Sequence, residues 1–169
     1  MNAKSRLKEN NKLFVKADAA WDKGDLRGAS ELFRRAAERG HSASQSNLGY
    51  FYDCGLHMKK DSGKALHWYY QAYRQGDASA ANNIATVHRD CGRVGKMIWW
   101  FRRAIAMGDH DPLLDLGKYY ETGVGVVMNL KKAIECYDRI LGSKWVTEQT
   151  REQAQKRLAK LQKHQRNKA

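Results

Sequence analysis

The sequence predicts an all-α chain: a right-handed α-solenoid of about four helix-turn-helix repeats, closed by a C-terminal capping helix. Three observations carry this reading. Four segments recur along the 169 residues: "ASELFRRAAERGH" from 29, "ALHWYYQAYRQGD" from 65, "MIWWFRRAIAMGD" from 97 and "AIECYDRILGSKW" from 133, with starts 36, 32 and 36 residues apart. Their apolar residues fall at i, i+3/i+4 and i+7, the period of a helix with one buried face. A second family of segments precedes three of them, so that each unit is a helix, a short turn and another helix. Such a unit cannot bury its apolar face alone, and the units must stack.

The first helices are "SQSNLGYFYDCG" (44–55), "AANNIATVHRDCG" (80–92) and "PLLDLGKYYETG" (112–123). They align on Leu48, Ile84 and Leu116. The following residue is small each time (Gly49, Ala85, Gly117), which lets a neighbouring helix come close. Tyr52, His88 and Tyr120 stand four residues after the alignment points. In the second helices Ala29, Ala65, Met97 and Ala133 coincide, as do Phe33, Tyr69, Phe101 and Tyr137, and Ala36, Ala72, Ala104 and Ile140. Gly40, Gly76 and Gly108 close three of these helices, as glycine does just past a helix end. Residues 147–163 read as one more helix, with Thr147 as N-cap and Glu148 and Glu152 near the positive end of its dipole. Its stripe of Ala154, Leu158 and Leu161 is apolar and its other faces are polar, as a solenoid cap requires. The expected organisation is a basic arm over 1–10, the repeat solenoid over 11–145, the capping helix over 146–163 and a basic tail over 164–169.

Composition narrows the function classes. No basic-then-apolar leader opens the chain and no window approaches the roughly 18 apolar residues of a membrane helix, so a cytoplasmic protein without membrane attachment is expected. Cys54, Cys91 and Cys136 are odd in number and unpatterned, which reads as small buried or half-buried thiols rather than a disulfide framework. The net charge of +13 is concentrated at the ends: +4 over residues 1–16, +6 over 151–169 and only +3 over 17–150. Basic ends of this kind attract nucleic acid or simply solvate the termini. No catalytic constellation is present. The six histidines lack ligand spacing, "CGRVG" and "GVGV" follow no strand and precede no GK[ST], and Cys91 with His88 lacks an orienting group. Asp109, Asp111 and Asp115 cluster around the start of a helix, where they suit N-capping and the dipole. Neither an enzyme, a cofactor nor a metal is expected.

The unit "LGKYYETGVGVVMNLKKAIECYDRIL" (116–141) resembles the tetratricopeptide-type helical repeats, and most closely their Sel-one-like branch, which reads roughly LGxxYxxGxGVxxDxxKAxxWYxKAAxxG. Asn129 stands where Asp is usual. The unit at 48–77 keeps Leu48-Gly49, Tyr52, Gly55, Asp61, Lys64-Ala65, Trp68-Tyr69 and Gly76-Asp77, and departs at "LHM" (56–58). The units near 13–40 and 84–109 look like plain tetratricopeptide units. The resemblance covers about 11–145. Trp68 and Tyr69 take a register that is apolar in every unit, so they are expected in the core. Tyr70 and Trp99 stand where other units carry charges, which suggests a contact surface.

The resemblance implies a concave surface lined by the first helix of each unit. In the family register it presents Phe14, Asp18, Trp21 and Asp22; then Ser46, Tyr50, Asp53 and Cys54; then Asn82, Thr86, Arg89 and Asp90; then Leu114, Lys118, Glu121 and Thr122. Its charges sum to −3 on a chain of +13. An acidic groove with Phe14, Trp21 and Tyr50 suits a basic protein surface and not a nucleic acid. The expected function is a non-enzymatic adaptor or inhibitor, a monomer or one-to-one complex, that binds a protein through this groove and Trp99. Small bacterial members of the branch include immunity proteins, so a toxin domain with a basic surface is one expected partner. The alternative is a nucleic-acid or ribonucleoprotein accessory working through the charged ends.

Overall fold

The computed structural model describes residues 3–166, with side chains from 4 to 163. Over these residues it consists of nine helices: α1 (Ala3–Asp22), α2 (Leu26–Glu38), α3 (Ser42–Cys54), α4 (Ser62–Tyr73), α5 (Ala78–Asp90), α6 (Val94–Ala106), α7 (Pro112–Thr122), α8 (Leu130–Gly142) and α9 (Glu148–Arg166). They form two compact units, divided between Val87 and His88 inside α5. None of the described helices is long and apolar enough to cross a membrane.

In the first unit α1 packs on α2, α2 on α3 and α3 on α4. The core is Ala17, Ala29, Phe33, Ala37, Leu48 and Phe51, with Phe14, Trp21, Leu32, Tyr52 and Trp68 packed partly buried against it. In the second unit α6 packs on α7, α7 on α8 and α8 on α9, and the buried residues include Met97, Phe101, Leu113, Leu116, Tyr120, Tyr137, Ile140, Ala154 and Leu161.

Local chemistry sets the ends of these helices. Asp25, Asp61 and Asn129 cap α2, α4 and α8, accepting from the amides of Gly28 (2.8 Å), Lys64 (2.9 Å) and Lys132 (2.9 Å). Asn129 therefore replaces the usual Asp without loss of the cap. Gly40, Gly76 and Gly108 all take positive φ (88°, 90° and 98°), so each ends its helix as the repeat predicts. Thr147 Oγ1 accepts from the Thr150 amide (3.2 Å) at the start of α9, also as expected.

The small residues after the anchors do what their spacing implies. A Cβ built on Gly49 would lie 2.7 Å from the Tyr69 ring, and one on Gly117 would lie 2.5 Å from the Tyr137 ring. Each tyrosine ring packs directly on a glycine of the preceding helix and is fully buried.

Several expectations are corrected. The stretch read as an arm over 1–10 is, from Ala3 onward, the first turns of α1. It is tied down by Asn10, whose buried side chain donates to the Arg39 carbonyl (3.3 Å), and by a Glu9–Arg39 ion pair (3.0 Å). The side chains of the basic tail over 164–169 lie outside the described residues. Cys54 and Cys91 are exposed, and only Cys136 is buried. Around the start of α7, Asp111 takes the N-cap position without a side-chain capping bond, Asp109 accepts from the Asp111 amide (3.0 Å), and Asp115 stands in the first turn, near the positive end of the dipole, held by Lys118 (3.0 Å) and Arg89 (3.6 Å). Trp68 is half-buried, edge-on to His67 (ring centroids 5.1 Å apart), while Tyr69 carries the full burial expected of both.

Candidate functional site

Of the residues expected on a binding surface, the structure brings one group together in the first unit. Trp21 on α1 packs its indole against Phe33 and Phe51 in the core (6.0 and 5.1 Å between centroids) and meets the Tyr50 ring of α3 at 5.8 Å. Tyr50 is 40% exposed and Trp21 half-buried, so the pair is anchored from below and open above. Asp18 and Asp22, one turn apart beside Trp21, are exposed. Asp53, one turn after Tyr50, is buried beneath. The neighbouring Cys54 accepts the Tyr50 hydroxyl and raises that phenol above its usual range, with burial and the Asp53 charge adding to the effect. This face therefore carries aromatic surface among carboxylates and gains no charge from tyrosine ionisation near neutral pH.

The other expected residues are distributed differently. Phe14 is half-buried and packs on His41 (5.2 Å) and Phe33 (6.0 Å), supporting the core. The reason is its place on α1: it lies two turns before Trp21 on the stripe that faces α2. Asn82 and Thr86 on α5 are half-buried, and the Thr86 hydroxyl donates to the Asn82 carbonyl (3.3 Å). Ser46 is buried and bonded to Asp77 at 2.5 Å.

In the second unit Arg89 contacts Asp90 (3.4 Å) and reaches Asp115 (3.6 Å), which also takes Lys118 (3.0 Å). Arg89, Asp115, Lys118, Tyr119, Thr122 and Val124 line a cleft of about 290 Å³. Glu121 is not a free groove charge. Its side chain is 12% exposed and accepts both the Tyr137 hydroxyl (2.6 Å) and Arg157 of α9 (2.8 Å). Burial pushes its carboxyl up, but these two hydrogen bonds and the Arg157 charge outweigh it and hold the group below the usual carboxylate range. With Asp115 and Arg157 counted, the second unit's share of the expected acidic surface is neutral, and the acidity belongs to the first unit. Trp99, on α6, is 56% exposed and meets the neighbouring Trp100 edge-on at 4.7 Å. Tyr70 is half-buried.

Sequence reading missed Asp115 and Arg157 as partners of these residues. The first stands three positions before Lys118 and was legible as an i,i+3 pair. The second lies 36 residues from Glu121, and no local spacing signals it.

Helices packed in chain order, with an aromatic over a glycine between α3 and α4 and again between α7 and α8, define an all-α helical-repeat fold. The Sel1 repeat pattern matches residues 23–41, 42–77, 98–109 and 113–140, more than half of the chain. The chain belongs to the Sel1 repeat family. The chain is 32% identical to chitin synthase regulatory factor 1 of Schizosaccharomyces pombe over 117 residues, 64% of this chain and 25% of that one. It is 27% identical to the chitin synthase regulator SKT5 of Saccharomyces cerevisiae over 126 residues, 70% of this chain and 18% of that one. It thus spans a quarter or less of the curated relatives it matches. The solved structure of a Sel1 repeat protein from Oxalobacter formigenes superposes with a TM-score of 0.73 at 24% identity, covering 89% of this chain and 62% of that one. A protective antigen of uropathogenic Escherichia coli with an SLR fold gives 0.66 at 18% identity, covering 86% and 36%. Both share the fold.

Proposed function

We propose that this chain is an interaction module, acting by binding and not by catalysis, and that it holds a protein partner carrying a basic surface. The observation that carries this reading is the Trp21–Tyr50 pair, rooted in the first unit's core and flanked by the exposed Asp18 and Asp22. Aromatics fixed from below lose little freedom on binding, and carboxylates around them select a cationic partner. The likeness to two proteins named as chitin synthase regulators supports a role exerted through another protein. Within this reading, a toxin domain with a basic surface, neutralised in the cytoplasm by a one-to-one complex, is a partner of the right charge.

The experiment is a nuclease-treated pull-down with the full chain at about 150 mM and about 500 mM salt, where the Debye length shrinks from about 8 Å to a little over half that. A stoichiometric protein partner that survives both conditions and is lost with Trp21→Ala or Asp18→Asn/Asp22→Asn is the expected result. Recovery of only nucleic-acid-associated proteins, lost after nuclease, would place function in the basic ends instead.

A further inference from the structure

A second surface lies in the second unit, and its chemistry is opposite to that of the acidic face. Arg102, Ile105 and Ala106 of α6, Leu116 and Tyr120 of α7, and Lys132, Glu135, Cys136 and Arg139 of α8 line a cleft of about 430 Å³. Its floor is apolar. Three cations converge on it against one carboxylate, and among the described residues Arg102, Lys132 and Arg139 form no ion pair. Elsewhere in this unit Arg89, Lys118, Arg151 and Arg157 are each paired with a carboxylate.

Two of the three cations are held in place. Arg102 lies over the Tyr120 ring (5.9 Å to its centroid) and donates to the Tyr120 hydroxyl, and Lys132 lies over the same ring at 5.5 Å. Burial pushes the Cys136 thiol up to about 11, so it adds no negative charge at neutral pH. On α6 the exposed Trp99 stands two turns before Ala106 on the same face, since seven residues span close to two helical turns.

The first unit shows what this place in the repeat looks like without such a site. The corresponding cleft there, about 450 Å³, is lined by Ala37, Glu38, Gly40, Gln45, His67, Trp68 and Gln71. It has no Lys or Arg. Trp68 stands where the second unit has Cys136, and Leu48 and Tyr52, the counterparts of Leu116 and Tyr120, do not line it. The Trp-to-Cys difference opens the second unit's cleft down to α7. Arg34 and Lys64 of the first unit correspond to Arg102 and Lys132, but there they are paired with carboxylates, Arg34 with Glu31 and Glu38 and Lys64 with Asp61, and Gln71 stands in place of Arg139.

We propose that the cleft between α6 and α8 binds an acidic peptide segment of a partner protein. One carboxylate sits among Arg102, Lys132 and Arg139, and an adjacent apolar side chain rests on Ile105, Leu116 and Cys136. A nucleic-acid backbone fits less well, because the apolar floor offers nothing to a phosphodiester chain. This site goes beyond the acidic face of the first unit, and the two stand or fall separately.

The test is a titration of the ¹⁵N-labelled full chain with two twelve-residue peptides, followed by backbone and arginine side-chain NMR shifts. One peptide alternates Asp/Glu with Leu/Phe; the other replaces its acids by Asn/Gln. The expected result is saturable shifts confined to α6, α8 and the Arg102 and Arg139 side chains. The neutral peptide binds at least tenfold more weakly. Cys136→Trp, which installs the first unit's residue, abolishes the shifts. If that variant does not fold, Lys132→Gln/Arg139→Gln, at exposed positions, weakens binding at least tenfold instead. Absence of saturable shifts, shifts outside the cleft, equal binding of the neutral peptide, or a single-stranded oligonucleotide of equal charge binding the cleft as tightly would overturn the proposal.

Discussion

Tyr137 in the second unit and Tyr69 in the first occupy one register, each fully buried over a glycine, yet they end differently. The Tyr137 hydroxyl donates to Glu121, which also receives Arg157, so a buried polar group is satisfied by a chain of charge-assisted bonds reaching α9. The Tyr69 hydroxyl has no hydrogen-bond partner among the described residues. Its neighbour is Asp53, one methylene shorter than Glu121, and burial first and the Asp53 charge second push the Tyr69 phenol up.

The loops differ in the same two units. Gly55 and Gly123 both take φ of 71°, but two residues later the second unit uses Gly125 (φ 67°) and the first uses His57 (φ 58°). His57 is the middle residue of the "LHM" departure from the repeat pattern. The lesson is that one backbone plan tolerates one unpaired hydroxyl and one strained side chain, provided the aromatic-over-glycine contact is kept.

Removing that contact gives the largest effect. Tyr69→Ala and Tyr137→Ala each cost about 3–5 kcal/mol, as buried aromatics do, read by urea denaturation of each variant. A small loss at either site would mean that the ring is not what joins the helix pair. Gly49→Ala and Gly117→Ala come next, at about 1–3 kcal/mol, because the added methyl meets a ring at 2.7 or 2.5 Å and overpacking outweighs the gain in helix propensity. Equal or raised melting temperatures would show that the rings slide aside freely.

Tyr→Phe changes separate the units. Tyr137→Phe loses about 1.5–3 kcal/mol, the worth of a hydrogen bond to a charged group, whereas Tyr69→Phe is neutral or slightly stabilising. The Tyr137 loss also has a pH signature. Glu121 sits below its usual range when folded, so its contribution is fully present above the unfolded value of 4.5. That contribution fades as pH falls through the lower folded value. The gap between wild type and Tyr137→Phe therefore narrows in acid, and a gap constant from pH 7 to pH 3 would remove the charge from the explanation. The smallest change is His57→Gly, which stabilises by about 0.5–1 kcal/mol: relief of a left-handed side chain, reduced by glycine's greater freedom when unfolded. Thermal melts would show it, and a loss of stability would mean that the His57 side chain contributes more than its backbone costs.

Trp68 illustrates how far local pattern reaches. Its register is apolar in every unit, and it does pack on the core, but it is also the wall of a surface cleft, which periodicity cannot distinguish from burial. Trp99 was legible as an aromatic in a charged register and is exposed. The packing of Phe14 on Phe33 and His41 was not legible, because these residues lie on other helices and no local spacing pairs them.

The sequence by itself determined the helices, their caps, the glycines that end them and the aromatics that cross them. These depend on chemistry within a turn or two and on a period repeated four times. Only the tertiary structure decided which charges are free. Glu121 and Arg157, Arg89 and Asp115, and the two cations over Tyr120, Arg102 and Lys132, come from different helices. Whether a carboxylate meets an arginine or faces a partner depends on the reach of side chains across a helix interface, a distance that no spacing along the chain records.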